Sequence, residues 1–169
     1  MIHLKEYILH QVREIKREML VAIEGLSQED LTSHEPGAHS PIAWIVEHCV
    51  GNMDFFVCKG VTGKLVMEHE RRFGHPIIAP KPGAPYPSLD ELKARWTKVL
   101  DACVAALEGV DEADLQRLSK AAKPSESEPL VESCLRVINH QNAHLRQIWC
   151  ILGRRRVDHK FPTQETWLA

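Results

Sequence analysis

Two histidines four residues apart, His140 and His144, interrupt an otherwise apolar stretch that reads NHQNAHLRQ from Asn139 to Gln147. On a helix, positions i and i+4 lie one turn above the other on the same face, so both imidazoles can reach a single ion. Ten histidines in 169 residues make such a pair common by chance. A third ligand from another part of the chain would turn the pair into a site.

His48 is the candidate. It sits in the middle of the helical stretch SPIAWIVEHCVGNMDFFVCKG, residues 40–60, on a stripe with Ile45, Asn52 and Phe55 or Phe56. Taken alone, each histidine reads as a hydrogen-bonded core residue. Three neutral imidazoles that leave a position open are instead the ligand set of catalytic zinc, and they also suit nickel, cobalt or iron. Asn52, one turn after His48, and Gln141 are candidates for orienting a bound ligand or water, with helix–helix hydrogen bonding as the competing role. Glu47 and Cys49 flank His48 and are turned about 100° off its face. With Asp54 pointing elsewhere again, the sequence offers no convincing general base.

Four long helices would have to position these groups. Leu4, Ile8, Val12, Ile15, Met19 and Ile23 form the apolar stripe of a helix that Gly25 ends, and Ser27 to Asp30 starts a turn or short helical piece. Ser40 as N-cap and Pro41 at the first helical position start the second long helix, which Gly60 stops. Ser88 and Glu91 form a capping box opening a third helix to Gly109, with Leu92, Trp96, Val99, Cys103 and Ala106 inside. Trp96 is core, and its indole N–H needs a partner. Pro129 opens a last helix, apolar on two faces and hence central, that ends at Gly153.

Between the second and third long helices, residues 63–73 could hold a helical turn, and Gly74 to Pro87 carries Pro76, Pro80, Pro82, Pro85 and Pro87. Prolines at this density forbid a regular helix and predict a long loop that serves as lid, binding wall, strap or oligomer contact. GLSQEDL (Gly25 to Leu31) and GVDEADL (Gly109 to Leu115) echo one another, and each precedes a histidine-bearing helix. Two hairpins with matching corners stack as an all-α four-helix bundle that sets the second and fourth helices side by side, with His48 facing His140 and His144.

A chain of 169 residues with 44% hydrophobic and 26% charged residues fits one globular domain, residues 1–169. A net charge of -2, with Arg154 to Arg156 the sole basic cluster, gives no field to hold nucleic acid. Five cysteines without CxxC spacing read as reduced, mostly buried thiols. No secretion signal and no membrane-length apolar run is visible, so a soluble cytoplasmic protein is expected.

SPIAWIVEHCVGNMDFF and NHQNAHLRQIWCILG resemble the second-helix and final-helix patterns of the DinB-like superfamily of metal-dependent enzymes, and the likeness covers most of the chain. That resemblance implies a four-helix bundle, a homodimer, and a divalent metal on His48, His140 and His144: zinc or nickel foremost, with iron, cobalt or manganese also accommodated. It further implies a small-molecule substrate. The chemistry would be transfer of a low-molecular-weight thiol such as bacillithiol, mycothiol or glutathione to an electrophile, or metal-dependent hydrolysis. One departure stands out. The family often reads H-R-G-Q after the last ligand, whereas here Leu145, Arg146 and Gln147 follow His144.

The competing reading is a noncatalytic metal-binding or stress-response bundle acting through partners. A fourth protein ligand from His10, His69 or His75 would close the site and favour that reading; an open position beside Trp44, Phe55 or Trp96 favours an enzyme.

Overall fold

The computed structural model describes residues 3–34, 40–67, 85–121 and 128–155. Helix α1, Leu4–Ile23, buries Ile8, Val12, Ile15, Met19 and Ile23, the stripe set by its 3.6-residue period. Gly25 follows with φ 71, a left-handed turn in which a Cβ would be strained. At the first corner the Ser27 side chain accepts from the Asp30 N–H and Asp30 reaches back to the Ser27 N–H, a capping box that starts α2, Gln28–Thr32.

Helix α3, Ile42–Met53, begins one residue later than expected: Pro41 is itself the N-cap, its ψ of 156 still extended, and Ser40 stands outside the helix. Beyond Met53 the helix widens into a π-helical segment, Asp54–Lys59, and then closes again as α4, Gly60–Thr62. Gly60 therefore does not end the helix. A Cβ there would lie 2.9 Å from Ser119 Oγ and 3.3 Å from Leu130 Cδ1, so the glycine serves close packing against these two side chains. Gly63, with φ 80, is the stop.

Residues 63–67 bend, and the buried Asp54 carboxylate accepts from the Val66 and Met67 N–H groups at 2.8 and 2.9 Å; the rest of the 63–73 stretch expected to hold a helical turn lies outside the described residues. The proline-rich segment up to residue 84 lies outside the described residues, and Pro85 to Ser88 lead in without regular structure to α5, Leu89–Glu108, through the expected Ser88–Glu91 capping box. Trp96, fully buried, donates its indole N–H to the Lys16 carbonyl at 3.0 Å, joining α5 to α1.

At the second corner Asp114 N–H donates to Asp111 Oδ1 at 2.8 Å and Asp111 N–H to Asp114 Oδ2 at 3.2 Å, before a short 3-10 turn, Asp114–Gln116. The echo between GLSQEDL and GVDEADL is thus a shared device: a side chain and an aspartate three residues on satisfy each other's backbone donors. Helix α6, Leu130–Arg155, runs past Gly153, where nothing crowds the backbone. Its end is held by Arg155, whose guanidinium donates to the carbonyls of Asp30 and Ser33.

Helix α1 packs on α5 and α6, and so does the α3 segment, which makes α3 and α6 neighbours in an all-α bundle. Among the described residues the nearest thing to a sheet is a single bridge between Leu118 and Pro129. No helix among them is long and apolar enough to cross a membrane.

Candidate metal centre

The contacts between α3 and α6 fix the site. His48 meets His140, the Gln141 side chain meets the Cys49 backbone, and Phe56 meets Arg136, so α6 numbers fall as α3 numbers rise and the segments run antiparallel. Residues four apart on each strip then face one another. Trp44, His48, Asn52 and Phe56 line one side of the seam, and His144, His140 and Arg136 the other.

One ring nitrogen from each of His48, His140 and His144 lies within 4.8 Å of the other two. His48 Nε2 and His140 Nε2 are 3.3 Å apart. Two nitrogens at ~2.0–2.1 Å from a tetrahedral metal must be roughly 3.3–3.4 Å apart, so this pair already has ligand spacing. Nδ1 of His140 is buried against protein, so Nε2 is its nitrogen that opens on the site. His144 turns Nδ1 away toward Gln147 Oε1, 3.0 Å distant, which selects the tautomer whose Nε2 lone pair is free.

Electrostatics favour neutral rings, the form that binds metal. Burial holds His140 below the ordinary histidine pKa of 6.5, and the neighbouring His144 and Arg136 add to the effect. Burial lowers His144 as well, against the opposing hydrogen bond to Gln147. The Trp44 ring stacks on His48, centroids 4.9 Å apart and planes 8° from parallel, and fixes that imidazole in place. Asn52 Nδ2 lies 2.9 Å from His48 Nε2 and donates to the His48 carbonyl at 3.0 Å. Its amide therefore borders the same lone pair that a metal would take.

The neighbouring polar groups are committed elsewhere. Glu47 Oε2 accepts from Arg95 of α5 at 3.1 Å, and Asp54 binds the 66–67 backbone. Gln141, fully buried, donates to the Cys49 carbonyl at 3.2 Å and so clamps α6 to α3 beside the histidine cluster. The buried Cys49 thiol has its pKa pushed far up by desolvation, so it offers no thiolate.

Of the aromatic residues expected to wall a pocket, Trp44 reaches the site and Trp96 does not, being enclosed in the core against α1. His10 lines a separate shallow pocket with Glu14, Glu18 and Asn142, while His69 and His75 lie outside the described residues. Among the described residues no fourth His, Cys, Asp or Glu side chain joins the three histidines. Gln147 is a partner of His144 that the ligand pattern alone does not single out, although its i+3 spacing is the signal that finds it.

A sequence profile of the DinB superfamily matches residues 11–148, a span that starts within α1, ends within α6 and includes all three histidines. The chain belongs to the DinB superfamily. None of the curated proteins compared with it matches. Within this DinB-superfamily bundle the trihistidine cluster has the donor set and spacing to hold a divalent metal. Where the H-R-G-Q pattern has Arg and Gly, Leu145 is buried in the core and Arg146 is exposed, and Gln147 still reaches His144.

Proposed function

We propose that this protein is a metal-dependent enzyme that ionises a small ligand at His48, His140 and His144 and delivers it to a small electrophile, with a low-molecular-weight thiol as the favoured ligand. The observation that carries this reading is the clustering of three imidazoles beside carboxylates that are bound to other partners. A divalent metal in such a site acts as a Lewis acid that lowers the pKa of a coordinated thiol or water.

The rest falls to the chain. His48, His140 and His144 present lone pairs without a compensating negative charge, so a metal held there keeps its full charge and favours an anion, such as a thiolate. Gln147 and Trp44 hold two of the rings in register. Asn52, whose amide reaches the seam, is suited to donate to a bound thiolate or water once it releases His48. Hydrolysis would ordinarily recruit a carboxylate as general base, and Glu47 and Asp54 are held by other partners; a thiol ionised by the metal needs none. Zinc or nickel fits the all-nitrogen donor set best, and iron, cobalt or manganese can occupy the same ligands.

Titration of cobalt- or nickel-substituted protein with mercaptoethanol, cysteine and glutathione tests the reading. New thiolate-to-metal bands are expected with at least one of them. No spectral change with any thiol would remove the transferase reading and leave hydrolysis at the same centre.

A further inference from the structure

The strip of α6 that carries the two ligands continues beyond them. Arg136 stands four residues before His140, hence on the same face and about 6 Å along the axis. Its guanidinium carbon lies 4.4 Å from the centre of the Phe56 ring, and Phe56 stands one turn after Asn52 on the facing strip. Phe56 packs edge-to-face with Phe55, over which Lys59 Nζ sits at 4.8 Å. The end of the seam next to the metal centre is therefore an aromatic platform carrying two cations.

Arg136 is held in a fixed attitude. Glu128 accepts from its Nη2 and, at 3.4 Å, from Nε, which occupies one edge of the planar fork. Among the described residues no acceptor meets Nη1. A guanidinium locked on one edge, stacked on a ring and offering its other edge is the arrangement that receives a planar anion. The side chain is about half exposed, so that edge is reachable.

We propose that Arg136, on its Phe56 platform, receives the carboxylate of a ligand whose other end occupies the open metal position. The substrate class is then a small molecule with a metal-binding head and a carboxylate arm that spans about one helical turn. The inference rests on the metal reading of the three histidines, but not on the head being a thiol.

Two probe pairs, each set with and without a carboxylate on the same chain, separate the possibilities in cobalt-loaded protein: mercaptopropionate against mercaptoethanol, and the monohydroxamate of succinate against propionohydroxamate. Affinities are read from the cobalt ligand-field bands in the wild type and in Arg136→Gln, a half-exposed position where the change leaves the core untouched. The ratio of carboxylate to neutral affinity is expected to fall about tenfold on substitution, the scale of one charge-assisted contact, with the neutral probes unchanged. Arg136→Lys should keep part of the preference, since it keeps the charge but loses the fork. A ratio that Arg136→Gln leaves unchanged in both pairs overturns the proposal. If the thiol pair gives no bands while the hydroxamate pair shows the loss, Arg136 stands and the thiol reading fails.

Discussion

His48 Nε2 and His140 Nε2 face each other at 3.3 Å across two helices that are 92 residues apart in the chain. Two buried-edge nitrogens at that distance can share one proton or one metal ion. Substituting His140 by Ala should cut metal affinity by at least about 100-fold, above what loss of an outer partner costs. Metal analysis of untagged wild type and variant checks this. Equal metal content in the two would sink the trihistidine assignment.

Gln147 acts on His144 through the Nδ1 hydrogen bond at 3.0 Å. Gln147→Leu frees the ring to turn and should weaken metal binding about 10- to 100-fold, while Gln147→Glu, a stronger acceptor, should restore or exceed wild-type affinity. Competition titration against a chromophoric chelator measures both. Equal loss in the two variants would mean that Gln147 serves packing alone.

Asn52 competes with a metal for the His48 lone pair. Asn52→Ala should therefore bind metal at least as tightly as wild type, and lose about 1 kcal/mol of folding stability with the bond to the His48 carbonyl. Its effect should fall on thiol binding or turnover instead. Metal affinity well below wild type would show that Asn52 is needed to hold His48 in place.

Asp54 ties the π-helical segment to residues 66 and 67 through two charge-assisted hydrogen bonds. Asp54→Ala leaves the buried Met67 N–H and the part-buried Val66 N–H without that acceptor and should cost about 3 kcal/mol, with Asp54→Asn losing less because one carbonyl oxygen remains. Denaturant unfolding, compared at constant m-value, gives the numbers.

Burial lowers the pKa of His140 and His144 below 6.5 in the folded chain. The unfolded chain therefore takes up protons first as pH falls through 6.5, so metal-free protein loses stability from there down toward the folded pKa values, and is unaffected by these groups above it. Unfolding free energies measured between about pH 7.5 and 5.5 should show that slope, and the double variant His140→Ala, His144→Ala should flatten it. A slope unchanged in the double variant would place its origin elsewhere.

The sequence by itself determined the helical stripes and the spacing of two of the three clustered histidines. The stripe from Ile8 to Ile23, the Ser88–Glu91 box and the i, i+4 spacing of His140 and His144 are local codes, written within a few residues and read without knowing the fold. Helix ends were less legible. Gly60 and Gly153 look like stops, yet one is a packing contact with Ser119 and Leu130 and the other lies in a helix whose end Arg155 secures at Asp30 and Ser33.

Only the tertiary structure decided the 3.3 Å approach of His48 to His140, the stacking of Trp44 on His48, the removal of Trp96 to the core, and the placing of Arg136 over Phe56. Each depends on the rotation and antiparallel register of α3 against α6, or of α5 against α1. That register is set by the summed packing of whole helix faces, and no single residue or short motif encodes it.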